Sequence, residues 1–217
     1  MESQKPKIAM YVKRPFGEKL NASFDFLKEN WKLLLKFTTY LLLPLCLIQA
    51  LSLNGLMSGA LSISAIASST AMAASSSSLI AFGSYYGLYM FLYLIGIILL
   101  TSLVYGLIRT YNEREERLQG VTLGMLKPRL FRNIKRLLLM TGACILLVLF
   151  VGIFVGLLVA LTPFTLFLTI PFIIAFSVPL ALLAPIYLFE DITLMEAFKK
   201  TFRLGFATWG GVFLVSL

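Results

Sequence analysis

The chain has 217 residues, 59% of them apolar and 13% charged, with nineteen Lys and Arg against ten Asp and Glu. Soluble domains carry roughly 45–50% apolar and about 25% charged residues, so composition excludes an ordinary water-soluble globule. Distribution excludes it again, because no Asp, Glu, Lys or Arg falls in 37–108, 137–189 or 204–217, blocks of 72, 53 and 14 residues.

In chain order, 32 mostly polar residues come first and a 21-residue apolar run over 33–53 follows. A cleaved signal peptide would hold its short apolar core within about the first 15–30 residues, so the first helix is expected to be a retained signal anchor. A helix needs about 20 apolar residues to cross a hydrocarbon core ~30 Å thick. The two long charge-free blocks therefore predict four spans, near 33–53, 83–107, 138–161 and 166–189.

The first pair is joined by NGLMSGALSISAIASSTAMAASSSS, Asn54 to Ser78, and the second by a tight turn around Thr162 and Pro163. Residues 56–74 are apolar enough to be a span of their own, but the extra crossing would move the basic segment 109–136 to the outside. A longer first helix, or a hairpin lying on the outer surface, is expected instead.

Basic residues at span ends set orientation, because cytoplasmic loops carry the Lys and Arg excess. Residues 1–36 hold eight, 109–136 eight and 190–203 three, which is all nineteen, and the connections on the other side hold none. This predicts a cytoplasmic N-terminus and a multi-pass protein of the bacterial inner-membrane type. A polybasic inner face is worth ~1 kcal/mol per Lys or Arg near anionic lipid. No basic helix or aromatic platform stands apart from the membrane to read nucleic acid, so lipid headgroups are the expected partners and nucleic acid is not. Glu113 and Arg117, in the mixed-sign run that follows the second span, are spaced to pair at i, i+4 if helical.

The charged segments repeat. VTLGMLKPRLFR, Val121 to Arg132, aligns without gaps to ITLMEAFKKTFR, Ile192 to Arg203, and Phe24 to Trp31 repeats the spacing of Phe202 to Trp209. Each copy has helical periodicity: Leu20, Phe24, Leu27 and Trp31; Leu123, Leu126, Leu130, Ile134 and Leu137; Leu194, Phe198, Phe202 and Phe206. Such faces suit amphipathic helices over 18–32, 123–136 and 193–206 lying in the headgroup plane, with Lys28, Lys32, Arg129, Arg132, Lys199, Lys200 and Arg203 as candidate headgroup contacts. Thr193 and Glu196 match a capping box, and Pro128 suits a first helical turn.

The expected architecture is an all-α polytopic transmembrane helical bundle, one integral membrane domain over 1–217. It has four full spans and a truncated fifth, with a cytoplasmic amphipathic interfacial helix before each hairpin. Repeat units run roughly 17–108, 121–189 and 192–217. The last fourteen residues would reach only about 21 Å as a helix, so the chain is expected to be a fragment of a six-span protein. GEKLNASFDFLKENWKLLLKF near the start and ITLMEAFKKTFRLGFATWGGVF near the end are each an amphipathic lead-in to a span. With them the chain resembles the bacterial six-span membrane domain found fused to glycerophosphodiester phosphodiesterases, and its stand-alone relatives. The resemblance implies a membrane domain; the soluble phosphodiesterase domain with its acidic metal site is not in this sequence, so that activity does not carry over.

Chemistry-bearing residues are few. There is no histidine, and Cys46 and Cys144 both fall inside predicted spans, so no zinc site, thiol–imidazole pair or serine triad of the usual kind can be built; no cofactor, metal or catalytic residue is expected. Intramembrane charges mark proton and ion paths, and the complete spans hold none beyond Lys36 at an edge. Glu190, Asp191 and Glu196 could gather a cation, but capping and pairing with Lys199, Lys200 or Arg203 explain them as well. Gly152, Gly156 and Ala160, like Gly83 and Gly87, have a small-xxx-small spacing that lets helices approach closely. Pro44, Pro171, Pro179 and Pro185 each remove a helix hydrogen bond.

Three functions remain open. One is a non-enzymatic scaffold or component that engages lipid or a partner. Another is a permease for a small or lipidic solute, with a path along Tyr89, Tyr93, Ser177 and Pro179. A membrane-embedded lipid enzyme, lacking acid, base or nucleophile pairs in the spans, is the least supported.

Overall fold

A computed structural model describes residues 7–9, 12, 14–67, 75–162 and 164–216. Among them are seven helices and no strand: α1 Phe16–Ala67, α2 Ser75–Glu113, α3 Leu123–Leu161, α4 Thr165–Leu180, α5 Leu183–Phe189, α6 Leu194–Ala207 and α7 Trp209–Ser216. Four stretches, Phe16–Leu61, Leu79–Glu113, Leu123–Leu161 and Thr165–Phe189, are long and apolar enough to cross a membrane. The architecture is that of an all-helical integral membrane protein.

The first helix is the longer of the two forms expected, running unbroken to Ala67 through most of the Ser/Ala/Gly-rich stretch. The lead-ins 18–32 and 123–136 are helical, but the turn expected between each of them and its span is missing. Both belong to continuous helices of 52 and 39 residues, about 78 and 58 Å at 1.5 Å per residue. The physical reason is local: nothing between Leu27 and Phe37, or between Leu130 and Leu139, breaks a helix, so propagation wins once nucleated. Pro128 stands in the second turn of α3 rather than the first. Only the third copy has a joint, at Thr208 (φ −121°, ψ 26°), where α6 gives way to α7. Pro163, half of the expected second turn, lies outside the described residues; Thr162 beside it is extended and donates its N–H to the Leu158 carbonyl at 3.1 Å.

The chain divides into two compact units, Phe24–Val104 and Met1–Ser23 with Tyr105–Leu217. In the first, α1 and α2 run antiparallel in a register fixed by small residues. A Cβ on Gly55 would stand 2.6 Å from the Tyr85 ring, one on Gly59 3.5 Å from Phe82, and one on Gly96 3.1 Å from Leu45. A side chain at 55 would displace the Tyr85 ring, which occupies that space. Ser52 is buried and donates to the Ile48 carbonyl at 3.1 Å, returning its hydroxyl to its own helix.

In the second unit the expected fourth span is broken in two at Ala181 and Leu182. Proline lacks an N–H and its ring collides with the carbonyl four residues earlier; for Pro185 that residue is Ala181. Pro185 itself then falls in the first turn of α5, where the missing donor costs nothing. Against this break α6 lays a stripe of small residues, Ala197, Thr201 and Gly205, buried at four-residue spacing. Leu183, Tyr187 and Ala197 form its core, with Met140 and Cys144 of α3 packed on it.

The closest approach is Gly205 on Pro179, where an added Cβ would meet the proline Cβ at 2.5 Å and Cα at 2.7 Å. Gly205→Ala should therefore destabilise the protein by about 1–3 kcal/mol, the usual range for overpacking. Gly152→Ala, with nothing within 4 Å, should be neutral or gain up to ~1 kcal/mol of helix propensity. Thermal unfolding of the two variants in detergent makes the comparison, and equal midpoints would contradict the packing described.

Candidate functional site

Breaking the fourth span leaves carbonyls without donors, and the polar residues of this unit gather where those carbonyls lie. Pro179 cannot donate to Ala175, and the freed Ala175 carbonyl accepts instead from the indole Nε1 of Trp209 at 3.2 Å. The last carbonyls of a helix have no intrahelical partner. At the end of α5 they are met by arginines, with Arg136 Nη2 donating to Tyr187 O at 2.6 Å and Arg109 Nη1 to Leu188 O at 3.5 Å. Cations at a helix C-terminus also meet the negative end of its dipole.

Asp191 follows immediately, in the left-handed conformation (φ 52°) that Asp tolerates better than most residues. Its carboxylate accepts from Arg136 Nη1 at 2.9 Å and from both Nη1 and Nη2 of Arg109 at 3.2 Å. Arg136 also donates to Ile192 O at 2.8 Å and stacks its guanidinium 4.2 Å from the Tyr187 ring centre. Its buried Nε has no partner among the described residues. Arg109 reaches Glu113 at 3.0 Å, and Glu113 takes Arg129 at 2.5 Å while Arg129 donates to Thr110 at 3.1 Å. The ends of α2, α3 and α5 are thus tied by one network, with Lys200 of α6 joined to Glu190 at 2.6 Å beside it. At the start of this unit, Lys7 Nζ donates to the α2 carbonyl of Asn112 at 2.7 Å.

The capping box at α6 is present: Thr193 N–H donates to Glu196 Oε2 at 3.0 Å and Glu196 N–H to Thr193 Oγ1 at 3.4 Å. The Thr193 backbone N–H, then its hydroxyl, hold the Glu196 carboxyl below the usual carboxylate range. A lowered folded value means that this support is full above the ordinary range and is lost as pH falls through the lowered one.

Of the expected headgroup contacts, Arg129 and Lys200 are engaged in internal ion pairs. Lys28, Lys32, Arg132, Lys199 and Arg203 are exposed. Glu190 and Glu196 pair and cap as expected, but Asp191 turns to Arg109 and Arg136 rather than to α6. Glu113 does not pair with Arg117, because α2 ends at Glu113 and Arg117 has φ 58°. Among the described residues no group of three or more His, Cys, Asp and Glu could hold a metal ion. On the expected solute path, Tyr89 and Tyr93 belong to the Phe24–Val104 unit, and Ser177 and Pro179 to the other. Ser177 donates to the Ile174 carbonyl at 2.9 Å, and Pro179 is buried. The residues that sequence reasoning passed over are Arg109, Arg136, Tyr187 and Trp209. One signal was present: Arg129, Asn133 and Arg136 share the face of α3 that carries the buried Leu126 and Leu137.

Compared with protein-family models, curated proteins and solved structures, the chain finds no match. The site must therefore be read from its own geometry, which is that of a structural latch.

Removing Arg136 strands two carbonyls and half the support of Asp191. Hydrogen bonds to charged groups contribute about 1.5–3 kcal/mol each, discounted here because the Asp191 side chain is 40% exposed and exposed pairs contribute little. Arg136→Gln should destabilise by about 2 kcal/mol in a thermal or denaturant melt, while Arg132→Gln, at an exposed position, should stay within about 0.5 kcal/mol. Equal effects would show that the network holds nothing together.

Proposed function

We propose that the chain is a non-enzymatic integral membrane protein of the bacterial inner-membrane type. In this reading it is a scaffold whose cytoplasmic-side cations engage anionic lipid, and its N-terminus is cytoplasmic. One observation carries the reading. Carbonyls at both pieces of the broken fourth span are returned to the protein: Ala175 O goes to Trp209, Tyr187 O to Arg136, and Pro179 lies under Gly205. A carrier uses such freed backbone groups for its solute; here Ala175 O and Tyr187 O are taken up by helix packing. The cations not drawn into the latch, Lys28, Lys32, Arg132, Lys199 and Arg203, are exposed on the same charged segments that set the expected orientation.

Vesicles reconstituted with the chain should release entrapped radiolabelled glycerol, lysine and phosphate no faster than protein-free vesicles. Release that Trp209→Phe or Pro179→Ala alters would replace the scaffold with a permease. For orientation, a Cys46→Ser/Cys144→Ser background carrying Ser76→Cys or Gln119→Cys should react with an impermeant maleimide on intact cells at 76 and only after lysis at 119. Labelling of both from outside would overturn the topology.

A further inference from the structure

Helix α6 is antiparallel to α4, with Gly205 opposite Pro179 and Trp209 opposite Ala175. Its buried stripe of Ala197, Thr201 and Gly205 leaves two other faces. One carries rings that run on into α4: Phe202 and Phe206 are 6.0 Å apart, Phe176 lies 6.0 Å from the first and 5.4 Å from the second, and Phe172 lies 6.0 Å from Phe176. These rings are unusually open for so connected a ladder, with Phe172 61%, Phe176 45% and Phe206 47% exposed. The other face carries Lys199 and Arg203, one turn apart and both exposed. Neither makes an ion pair among the described residues, whereas their neighbour Lys200 is held by Glu190.

The antiparallel register sets these groups at different depths. Arg203 is level with the break at Ala181, and Lys199 lies further toward the charged end at Glu190 and Asp191. Phe172 lies nine residues deeper along α4, about 13 Å at 1.5 Å per residue. Half of a hydrocarbon core of ~30 Å is about 15 Å, so the track is one leaflet deep, cationic at its polar end and aromatic below.

We infer that this track is a binding site for one anionic glycerophospholipid, its phosphate on Lys199 and Arg203 and its acyl chains along Phe206, Phe176 and Phe172. The inference rests on the lipid-engaging reading above and narrows it to one place. Charge decides the occupant. Two exposed cations without an ion pair among the described residues, Lys199 with only the charge of Glu196 near it, complement beside an open apolar track a lipid that is anionic at the head and apolar below, and a zwitterionic lipid would bring an ammonium to the same cations.

Trp209 reports on the track, because its indole is bonded to the carbonyl adjacent to Phe176. With Trp31→Phe it is the sole tryptophan. In phosphatidylcholine nanodiscs, brominated phosphatidylglycerol should quench Trp209 with about five- to tenfold higher affinity than brominated phosphatidylcholine, within what two cations near anionic lipid supply. Lys199→Gln/Arg203→Gln should reduce the ratio to about one. Lys199→Arg/Arg203→Lys should keep it, and so should Lys127→Gln/Lys135→Gln on α3. Phe172→Ala/Phe206→Ala should weaken binding of both lipids. A preference that survives the Gln pair overturns this site but leaves the lipid-engaging reading standing; no preference in any variant overturns both. Far-UV circular dichroism checks that the Gln pair, at exposed positions, is folded.

Discussion

Within hydrocarbon a carbonyl without a donor costs several kcal/mol, and the second half of this chain brings distant donors to carbonyls left open along its interrupted fourth span. Pro179 releases Ala175 O, and Pro185 splits the span so that a seven-residue helix ends with its own orphan carbonyls. The donors come from far along the chain: an indole 34 residues on, and guanidinium groups 51 and 79 residues back. Helix α6 must lie close enough to α4 to deliver Trp209, and that closeness is what requires glycine at 205. The latch and the tight helix crossing are thus two results of one backbone interruption.

The arginines also pair with carboxylates, and the two roles differ in kind. Partly exposed ion pairs taken alone contribute modestly, and burying a pair can cost as much as it returns. Arg136 differs because one side chain meets two carbonyls, a carboxylate and an aromatic face. Arginine suits this role where lysine does not, since its planar fork presents several donors at fixed angles. The Phe24–Val104 unit is held by other means. There Gly55 admits the Tyr85 ring and Gly96 the Leu45 side chain, so close van der Waals packing does the work that hydrogen bonds do elsewhere.

Much of this was legible beforehand because charge-free blocks and bilayer thickness are strong constraints. The four apolar spans and the Thr193–Glu196 capping box follow from local sequence, and the long first helix was one of two forms that it left open. The break at Ala181 was legible in principle as Pro185 minus four residues, but a proline can equally kink a span as split it. Two things were hidden. One was the continuity of α1 and α3 through their lead-ins, because an amphipathic stripe is the same whether a helix lies flat or stands upright. The other was the partner of Asp191: Lys199 and Arg203 are near in sequence, whereas Arg109 and Arg136 are 82 and 55 residues away. The left-handed turn at Asp191 and the helix ends that carry Arg109 and Arg136 bring the distant pair together. Leu20, Phe24, Leu27 and Trp31, the stripe read from periodicity, are exposed, and the buried side of α1 is the one carrying Phe26, Asn30 and Phe37.

Among the described residues the ion pairs made by α3 fall in its first fourteen residues, at Arg129 and Arg136, while the rings and aliphatic chains from Leu146 to Leu161 are largely exposed. Mechanically, α3 is a beam gripped by charge at one end and joined to α4 by a short turn at the other. From Arg136 to Leu161 it is about 37 Å long at 1.5 Å per residue, so one degree of play at the clamp swings the tip by about 0.6 Å. Thickening or lateral compression of the surrounding bilayer would act on the α4 end with the full length of that arm, and the guanidinium groups at the fulcrum would bear the torque.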